Sequence, residues 1–110
     1  MTLNSNRIGD EGAVSIGSNT TWQNLEILYL HQNEIGDKGA AAIGTNTTWS
    51  KLKELILNSN RIGDEGTVSI GTNEAWKNLE ILHLSENQIG SQGAVAIANN
   101  ITWHKLKNLS

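Results

Sequence analysis

The 110-residue sequence has no cysteine, so it forms neither a disulfide bond nor a thiolate metal site. The lack of cysteine favours a reducing compartment, and the polar segment around Met1 does not resemble a signal peptide, so we expect a cytoplasmic location. The sequence also lacks a long apolar run and a polybasic segment, which leaves membrane binding without support. The net charge of -3 argues against a nucleic-acid partner, since phosphate neutralisation requires a basic patch.

What the sequence does contain is a repeat of 27 residues. The four tryptophans, Trp22, Trp49, Trp76 and Trp103, mark this step along the whole chain. The same step separates an asparagine column and two leucine columns: Asn6, Asn33, Asn60 and Asn87; Leu25, Leu52, Leu79 and Leu106; Leu28, Leu55, Leu82 and Leu109. A fixed period of about 20–50 residues is typical of solenoids and repeat arrays.

The repeats are also related in pairs. The decamer LNSNRIGDEG stands at Leu3–Gly12 and again, without a change, at Leu57–Gly66, two repeats later. Residues 3–56 and 57–110 align without gaps, which suggests that a unit of two repeats was duplicated.

Each repeat predicts one short strand and one short helix. Leu28 and Leu30 alternate with other residues, as in a strand with one buried face. Asp37 stands where a helix N-cap is expected, Ile43 lies in a helix of about two turns, and Gly44 is expected to end it. Such a unit cannot bury its apolar face alone. Stacked units can, by forming a parallel sheet with the helices outside.

The pattern LxxLxLxxN resembles that of leucine-rich repeat proteins. It stands at Leu25–Asn33, Leu52–Asn60 and Leu79–Asn87, with partial copies at both ends. The segments that follow, such as IGDEGAVSIGSN, resemble the helical, ribonuclease-inhibitor-like subfamily, although tryptophan replaces the usual leucine before each strand. The resemblance implies an α/β solenoid with a concave parallel sheet and convex helices. We expect residues 1–110 to form a single array of about four repeats, without a polar cap at either end.

The motif Gly-Asp-x-Gly could suggest a phosphate loop or a carboxylate pair, but its recurrence favours a structural role. Its copies are Gly9-Asp10-Glu11-Gly12, Gly36-Asp37-Lys38-Gly39, Gly63-Asp64-Glu65-Gly66 and the altered Gly90-Ser91-Gln92-Gly93. We expect each Asp or Ser to cap its helix, each first glycine to have a positive φ, and each second glycine to let neighbouring helices approach.

The three histidines fall at different repeat positions and have no metal-site spacing: they are His31, His83 and His104. His31 and His83 are interpreted as surface residues. We predict no catalytic, cofactor-binding or metal-binding residue, and therefore no enzyme.

Candidate binding residues are found where the repeats differ. Scaffold positions recur, whereas the strand positions between the leucines vary. In a leucine-rich repeat these positions line the concave face, the usual recognition surface. The predicted concave face comprises Ile27, Tyr29, His31, Glu54, Ile56, Asn58, Ile81, His83 and Ser85. We expect an exposed, partly aromatic patch that binds a protein or peptide, with simple strand propensity as the alternative explanation.

Two further sets of residues receive structural roles. The asparagines Asn6, Asn33, Asn60 and Asn87 are expected to form a buried ladder whose amides satisfy backbone groups. The leucines Leu3, Leu106 and Leu109 lie where the motif is cut, and joining the two ends restores a complete repeat. The main hypothesis is therefore a recognition module from a longer array. The alternative is a structural or engineered repeat that forms head-to-tail homo-oligomers.

Overall fold

A computed structural model describes all residues, 1–110, as an α/β solenoid in which strands and helices alternate. The strands are β1 (Ile27–Tyr29), β2 (Glu54–Ile56), β3 (Ile81–His83) and β4 (Asn108–Leu109). The helices are α1 (Gly9–Gly17), α2 (Asp37–Gly44), α3 (Asp64–Gly71) and α4 (Ser91–Ala98). None of these helices has the length and apolar character needed to cross a lipid bilayer.

The strands form one parallel sheet in the order β1-β2-β3-β4. Its register follows the 27-residue step: Leu28 pairs with Leu55, which pairs with Leu82, which pairs with Leu109. A further parallel bridge joins Thr2 to Tyr29, so the first residues occupy an additional strand position beside β1. Each helix packs against the next, which gives one layer of strands and one of helices, as predicted.

The core lies between these two layers and consists of the repeated apolar columns. The buried leucines of the strands pack with isoleucines of the turns and helices, and all of them belong to one cluster. Trp49 and Trp76 are fully buried and Trp103 nearly so, whereas Trp22 is half-buried in the first repeat. The tryptophan column is therefore part of the core.

The aspartates cap helices, but not the helices in which they stand. Asp37 is the first residue of α2, and the capping position before it has no side-chain hydrogen bond. Its Oδ1 instead accepts hydrogen bonds from the N–H groups of Gly63, at 2.8 Å, and Gly66, at 2.9 Å, in the next repeat. Asp10 and Asp64 make the same pair of bonds one repeat on. The predicted cap within each helix was wrong, because stacking brings the next helix N-terminus to each carboxylate.

The expectation of a positive φ was also wrong for most of the first glycines. Gly36, Gly63 and Gly90 have φ values of -103°, -102° and -102°, and only Gly9 has a positive value, 66°. These positions lie against the capping aspartate of the preceding repeat: a Cβ on Gly36 would lie 3.2 Å from a carboxylate oxygen.

Close helix packing explains Gly39 and Gly44, whereas a Cβ on Gly12 would overlap the side chain of Ile8 just before its own helix. A Cβ on Gly39 would lie 2.7 Å from the Cβ of Ala13 in the preceding helix, as expected for the second glycine of the motif. A Cβ on Gly44 would lie 2.6 Å from the backbone nitrogen of Ile70, so this helix end also needs glycine for space. Its conformation does not require glycine, since neither Gly44 nor Thr45 has a positive φ.

The asparagine column links successive repeats through side-chain amides. Asn60 donates from Nδ2 to the carbonyls of Leu30, at 3.1 Å, and Leu57, at 2.9 Å. Its Oδ1 accepts from the N–H groups of Asn33, at 2.9 Å, and Ile35, at 3.0 Å. Burial is uneven along this column: Asn33 and Asn60 are buried, Asn87 is half-buried and Asn6 is exposed.

A second asparagine ladder, which was not predicted from the sequence, runs along the helix ends. Asn73 donates to the carbonyls of Gly44, at 2.8 Å, and Asn46, at 3.0 Å, and accepts from the N–H groups of Ala75 and Trp76. Asn46 and Asn100 make corresponding bonds. Its sequence signal was the 27-residue step of Asn19, Asn46, Asn73 and Asn100.

Candidate protein-binding face

The concave face is the side of the sheet opposite the helices. In β1, β2 and β3 the central leucine is buried in the core, and the residues on either side of it point away from the core. The register places Ile27, Glu54 and Ile81 in one row across the sheet. It places Tyr29, Ile56 and His83 in the next row. His31, Asn58 and Ser85 follow just after the strands.

This face is more buried than the sequence analysis expected. Ser85 is exposed, whereas the other eight residues of the face are half-buried, including His31 and His83, which were interpreted as surface residues. The physical reason is the narrow strand spacing, about 4.8 Å, at which side chains in the same row cover one another. The concave face is therefore a closely packed surface, which we call the floor, and its side chains are only partly accessible to solvent.

A hydrogen bond joins two residues of this floor. The Tyr29 hydroxyl donates to Oε1 of Glu54 at 2.8 Å. This hydrogen bond raises the pKa of Tyr29 above its ordinary value, and partial burial and the negative charge of Glu54 act in the same direction. The Tyr29 ring also packs edge-on against His31, with ring centroids 6.4 Å apart. Tyr29 is thus held in position by neighbours on both sides.

Three polar atoms on the floor have no hydrogen-bond partner although solvent does not reach them. They are Nδ1 of His31, Oδ1 of Asn58 and Nε2 of His83. The other buried side-chain atoms without a partner are tryptophan Nε1 atoms in the core. A buried polar atom without a partner costs about 1–3 kcal/mol, so these three atoms favour a ligand that supplies hydrogen bonds. No group of three or more acidic or histidine side chains is arranged to hold a metal ion.

Charged side chains lie along the two edges of the sheet that the strand ends form, mostly in pairs between repeats. Lys53 contacts Glu26 at 3.2 Å, and Lys107 contacts Glu80 at the same distance, just before the strands. After the strands, Arg61 lies 3.7 Å from Glu34. These side chains are largely exposed, and such pairs contribute at most about 1 kcal/mol each. Between these edges, Glu54 is the one carboxylate on the concave face.

The three leucines at the ends have different surroundings. Leu3 and Leu106 are half-buried and pack on the core. Leu109 is 51% exposed and borders a mostly apolar groove of about 240 Å³ beside α4. The groove is lined by Thr67, Leu84, Ile89, Ala94, Ile97, Ala98, Leu109 and Ser110.

The repeat geometry agrees with comparisons to known proteins. The model of the family described as Leucine Rich repeat matches residues 2–17, 23–44, 50–71 and 77–98, most of the chain. The chain belongs to the leucine-rich repeat family. No curated protein matches this leucine-rich repeat chain. The ribonuclease-inhibitor-like subfamily stays a prediction.

A solved structure has the same leucine-rich repeat fold. It is described as "Leiomodin-1 Actin-Binding Site 2 (ABS2)" and is similar with a TM-score of 0.83 and 20% sequence identity. The similarity covers 100% of this chain and 68% of that chain. At this identity the likeness shows the fold alone.

Proposed function

We propose that this leucine-rich repeat is a non-enzymatic protein-recognition module that binds a protein or peptide on its concave face. One observation carries the proposal: the floor formed by Ile27, Ile56 and Ile81 also contains buried polar atoms without partners. Apolar area supplies affinity in a protein interface, and a partner's hydrogen bonds remove the cost of the unpaired atoms.

The distribution of sequence variation supports the same function. The core leucines, the buried asparagines and the packed glycines recur because stacking requires them. The rows of the concave face change from isoleucine to glutamate and from tyrosine to isoleucine between neighbouring repeats. Stacking alone does not demand these changes. The description of the structural neighbour, leiomodin-1, names an actin-binding site. This favours a protein rather than a small molecule as the partner.

The size of the face favours a short segment as the partner. It comprises nine residues, whereas a standard protein interface uses about 20–30 residues on each side. We therefore propose that a single extended or turn segment lies across β1, β2 and β3, with its side chains on the row of Ile27, Glu54 and Ile81.

A displayed library of random dodecapeptides, selected against the chain, tests this proposal. Selected peptides are expected to shift the backbone amide NMR signals of the concave face. A double variant, Ile56→Thr with Ile81→Thr, keeps β-branched side chains and should weaken the binding of those peptides about tenfold or more. The matched control is Val68→Thr with Val95→Thr, which makes the same change on the exposed helix surface.

Peptides whose signals map to the helix surface, or whose affinity is the same for both double variants, would contradict the proposal. Circular dichroism and the unfolding midpoint of each variant show whether a loss of binding reflects a loss of folding.

A second candidate function is head-to-tail association of copies of this chain. The apolar groove beside α4 and the exposed Leu109 favour it. Thr2, however, holds the same repeat position as Ser110 and already bridges to Tyr29. In a head-to-tail pair the first residues of one copy and β4 of the other copy would therefore compete for the same place beside β1. Recognition therefore ranks first. Light scattering over a dilution series decides between them: association predicts a mass that rises with concentration, and Leu109→Ser should abolish that rise.

A further inference from the structure

Glu54 has a different environment from the other half-buried carboxylates of the chain. Asp10, Asp37 and Asp64 accept backbone hydrogen bonds, and Glu80 contacts a lysine. Glu54 has no cation within salt-bridge distance, and its one hydrogen bond comes from the neutral Tyr29 hydroxyl. It is a negative charge without a counter-ion at the centre of the concave face.

The surroundings of Glu54 are mostly apolar. Its neighbours in the same row are Ile27 and Ile81, and Ile56 lies two residues along its own strand. Apolar neighbours remove water from a carboxylate without replacing the lost hydrogen bonds. A cation seated on the face would gain a strong, poorly screened attraction to Glu54.

The polar atoms of the concave face that still lack partners can act as hydrogen-bond acceptors, so a ligand that binds them must supply donors. Glu54 accepts one hydrogen bond and has further acceptor capacity, and Oδ1 of Asn58 is an acceptor without a partner. The unpaired nitrogens of His31 and His83 are acceptors in one neutral tautomer. The terminal torsions of asparagine and histidine are broad, so small rotations can present these atoms to a donor above them.

The geometry points to an arginine side chain of the partner as the group that binds at Glu54. This inference rests on the proposed function and names the chemistry of the protein or peptide that the concave face takes. A guanidinium provides five N–H donors and a permanent positive charge, and its donors can form a bidentate pair with a carboxylate such as that of Glu54. Its plane can stack on the Tyr29 ring, which is held by Glu54 and His31. A lysine ammonium has fewer donors and is more strongly hydrated, so it fits less well.

The charge of the whole chain agrees with this partner. The net charge is -3, which attracts a basic segment from a distance. The cations nearest the face, Lys53 and Lys107, are each paired with a glutamate. They therefore leave Glu54 available to a cation from outside the chain.

NMR titration with the capped tripeptide acetyl-Leu-Arg-Leu-amide tests the inference directly. Two matched probes replace arginine with lysine or with citrulline, which has nearly the shape of arginine but no charge. We expect saturable shifts at the amides of Glu54, Tyr29 and Asn58 with the arginine probe. Binding should be about tenfold weaker with citrulline, and also weaker with lysine.

Two protein variants separate local recognition from overall charge. Glu54→Gln should weaken binding of the arginine probe about tenfold, while Glu86→Gln should leave it unchanged. Glu86 is exposed, forms no salt bridge and changes the net charge by the same amount. Glu54→Gln should also stay folded, because glutamine keeps the shape of the side chain and an oxygen that can accept from the Tyr29 hydroxyl.

Equal binding of the arginine and citrulline probes, or equal effects of the two variants, would overturn the arginine inference. So would equal binding of the lysine probe, or no saturable shift at the face. These results would not contradict binding on the concave face itself. The library selection tests that proposal separately, because its peptides can bind this face without an arginine. Selected peptides that map to the helix surface would instead defeat the proposed function itself.

Discussion

Replacing Asn60 with alanine tests the asparagine ladder at one of its most buried positions. The Asn60 amide makes five hydrogen bonds to the backbone, three as donor and two as acceptor. Three of them reach the preceding repeat, namely the bond to the carbonyl of Leu30 and those from the N–H groups of Asn33 and Ile35, which are fully buried residues. The substitution therefore removes a connection between two repeats as well as a local turn contact.

The cost can be worked out from the groups left without partners. The carbonyls of Leu30 and Leu57 keep hydrogen bonds from the Asn33 and Asn87 amides. The two N–H groups lose the acceptor that the native amide provides, at about 1–3 kcal/mol each, so Asn60→Ala should lower the free energy of unfolding by about 2–6 kcal/mol. That is a large part of the 5–15 kcal/mol that is typical of a domain, and it corresponds to a decrease in Tm of at least about 8 °C.

Thermal unfolding followed by circular dichroism measures this effect. The matched control is Asn58→Ala, because the Asn58 side chain is half-buried two residues away and its Oδ1 has no partner. A second control is Asn6→Ala, whose exposed amide donates only within its own turn. Both controls should change Tm by a few degrees at most. Equal Tm values for the Asn60 and Asn58 variants would refute the assignment of the ladder as the main polar connection between repeats.

Three other outcomes follow from the structure. Asp37→Ala should lower the free energy of unfolding by about 2 kcal/mol in urea titration, because two N–H groups of the next helix lose their acceptor; Glu65→Ala, on the exposed helix surface, should have little effect. Gly44→Ala should lower Tm strongly, since its Cβ would overlap the backbone of the next helix, and an unchanged Tm would contradict this packing. Tyr29 is the only tyrosine, so absorbance titration reports its pKa, which should decrease in Glu54→Gln. Since the folded-state pKa of Tyr29 is raised, the stability that its hydrogen bond to Glu54 contributes is present below pH 10 and is lost as the pH rises through the folded-state pKa. Equal titration curves for the parent chain and Glu54→Gln would exclude the hydrogen bond.

The sequence predicted the scaffold of the candidate site, but only part of its chemistry. The 27-residue step fixed which residues stand side by side, so the row of Tyr29, Ile56 and His83 could be written down in advance. The hydrogen bond between Tyr29 and Glu54 could not, because these residues lie in different rows. A diagonal contact between rows depends on how far a long side chain leans, which periodicity does not specify.

The capping aspartates show the same limit. Their position at the start of each helix was visible in the sequence, and local rules for helix termini predicted a cap within the same helix. The hydrogen bonds reach the next repeat instead, 26 and 29 residues further along the chain. Local rules treat a helix as isolated, whereas here the carboxylate bonds to the N-terminus of the neighbouring helix.

The sequence by itself determined the α/β solenoid, the number of repeats and the buried columns, since repeated units can bury their apolar faces only by stacking in phase. Only the tertiary structure decided how polar groups are shared between repeats and how deeply the concave face is buried. Those properties depend on distances of a few ångströms between residues 27 positions apart in the chain. Such distances arise from packing all the repeats together, and no single repeat contains them.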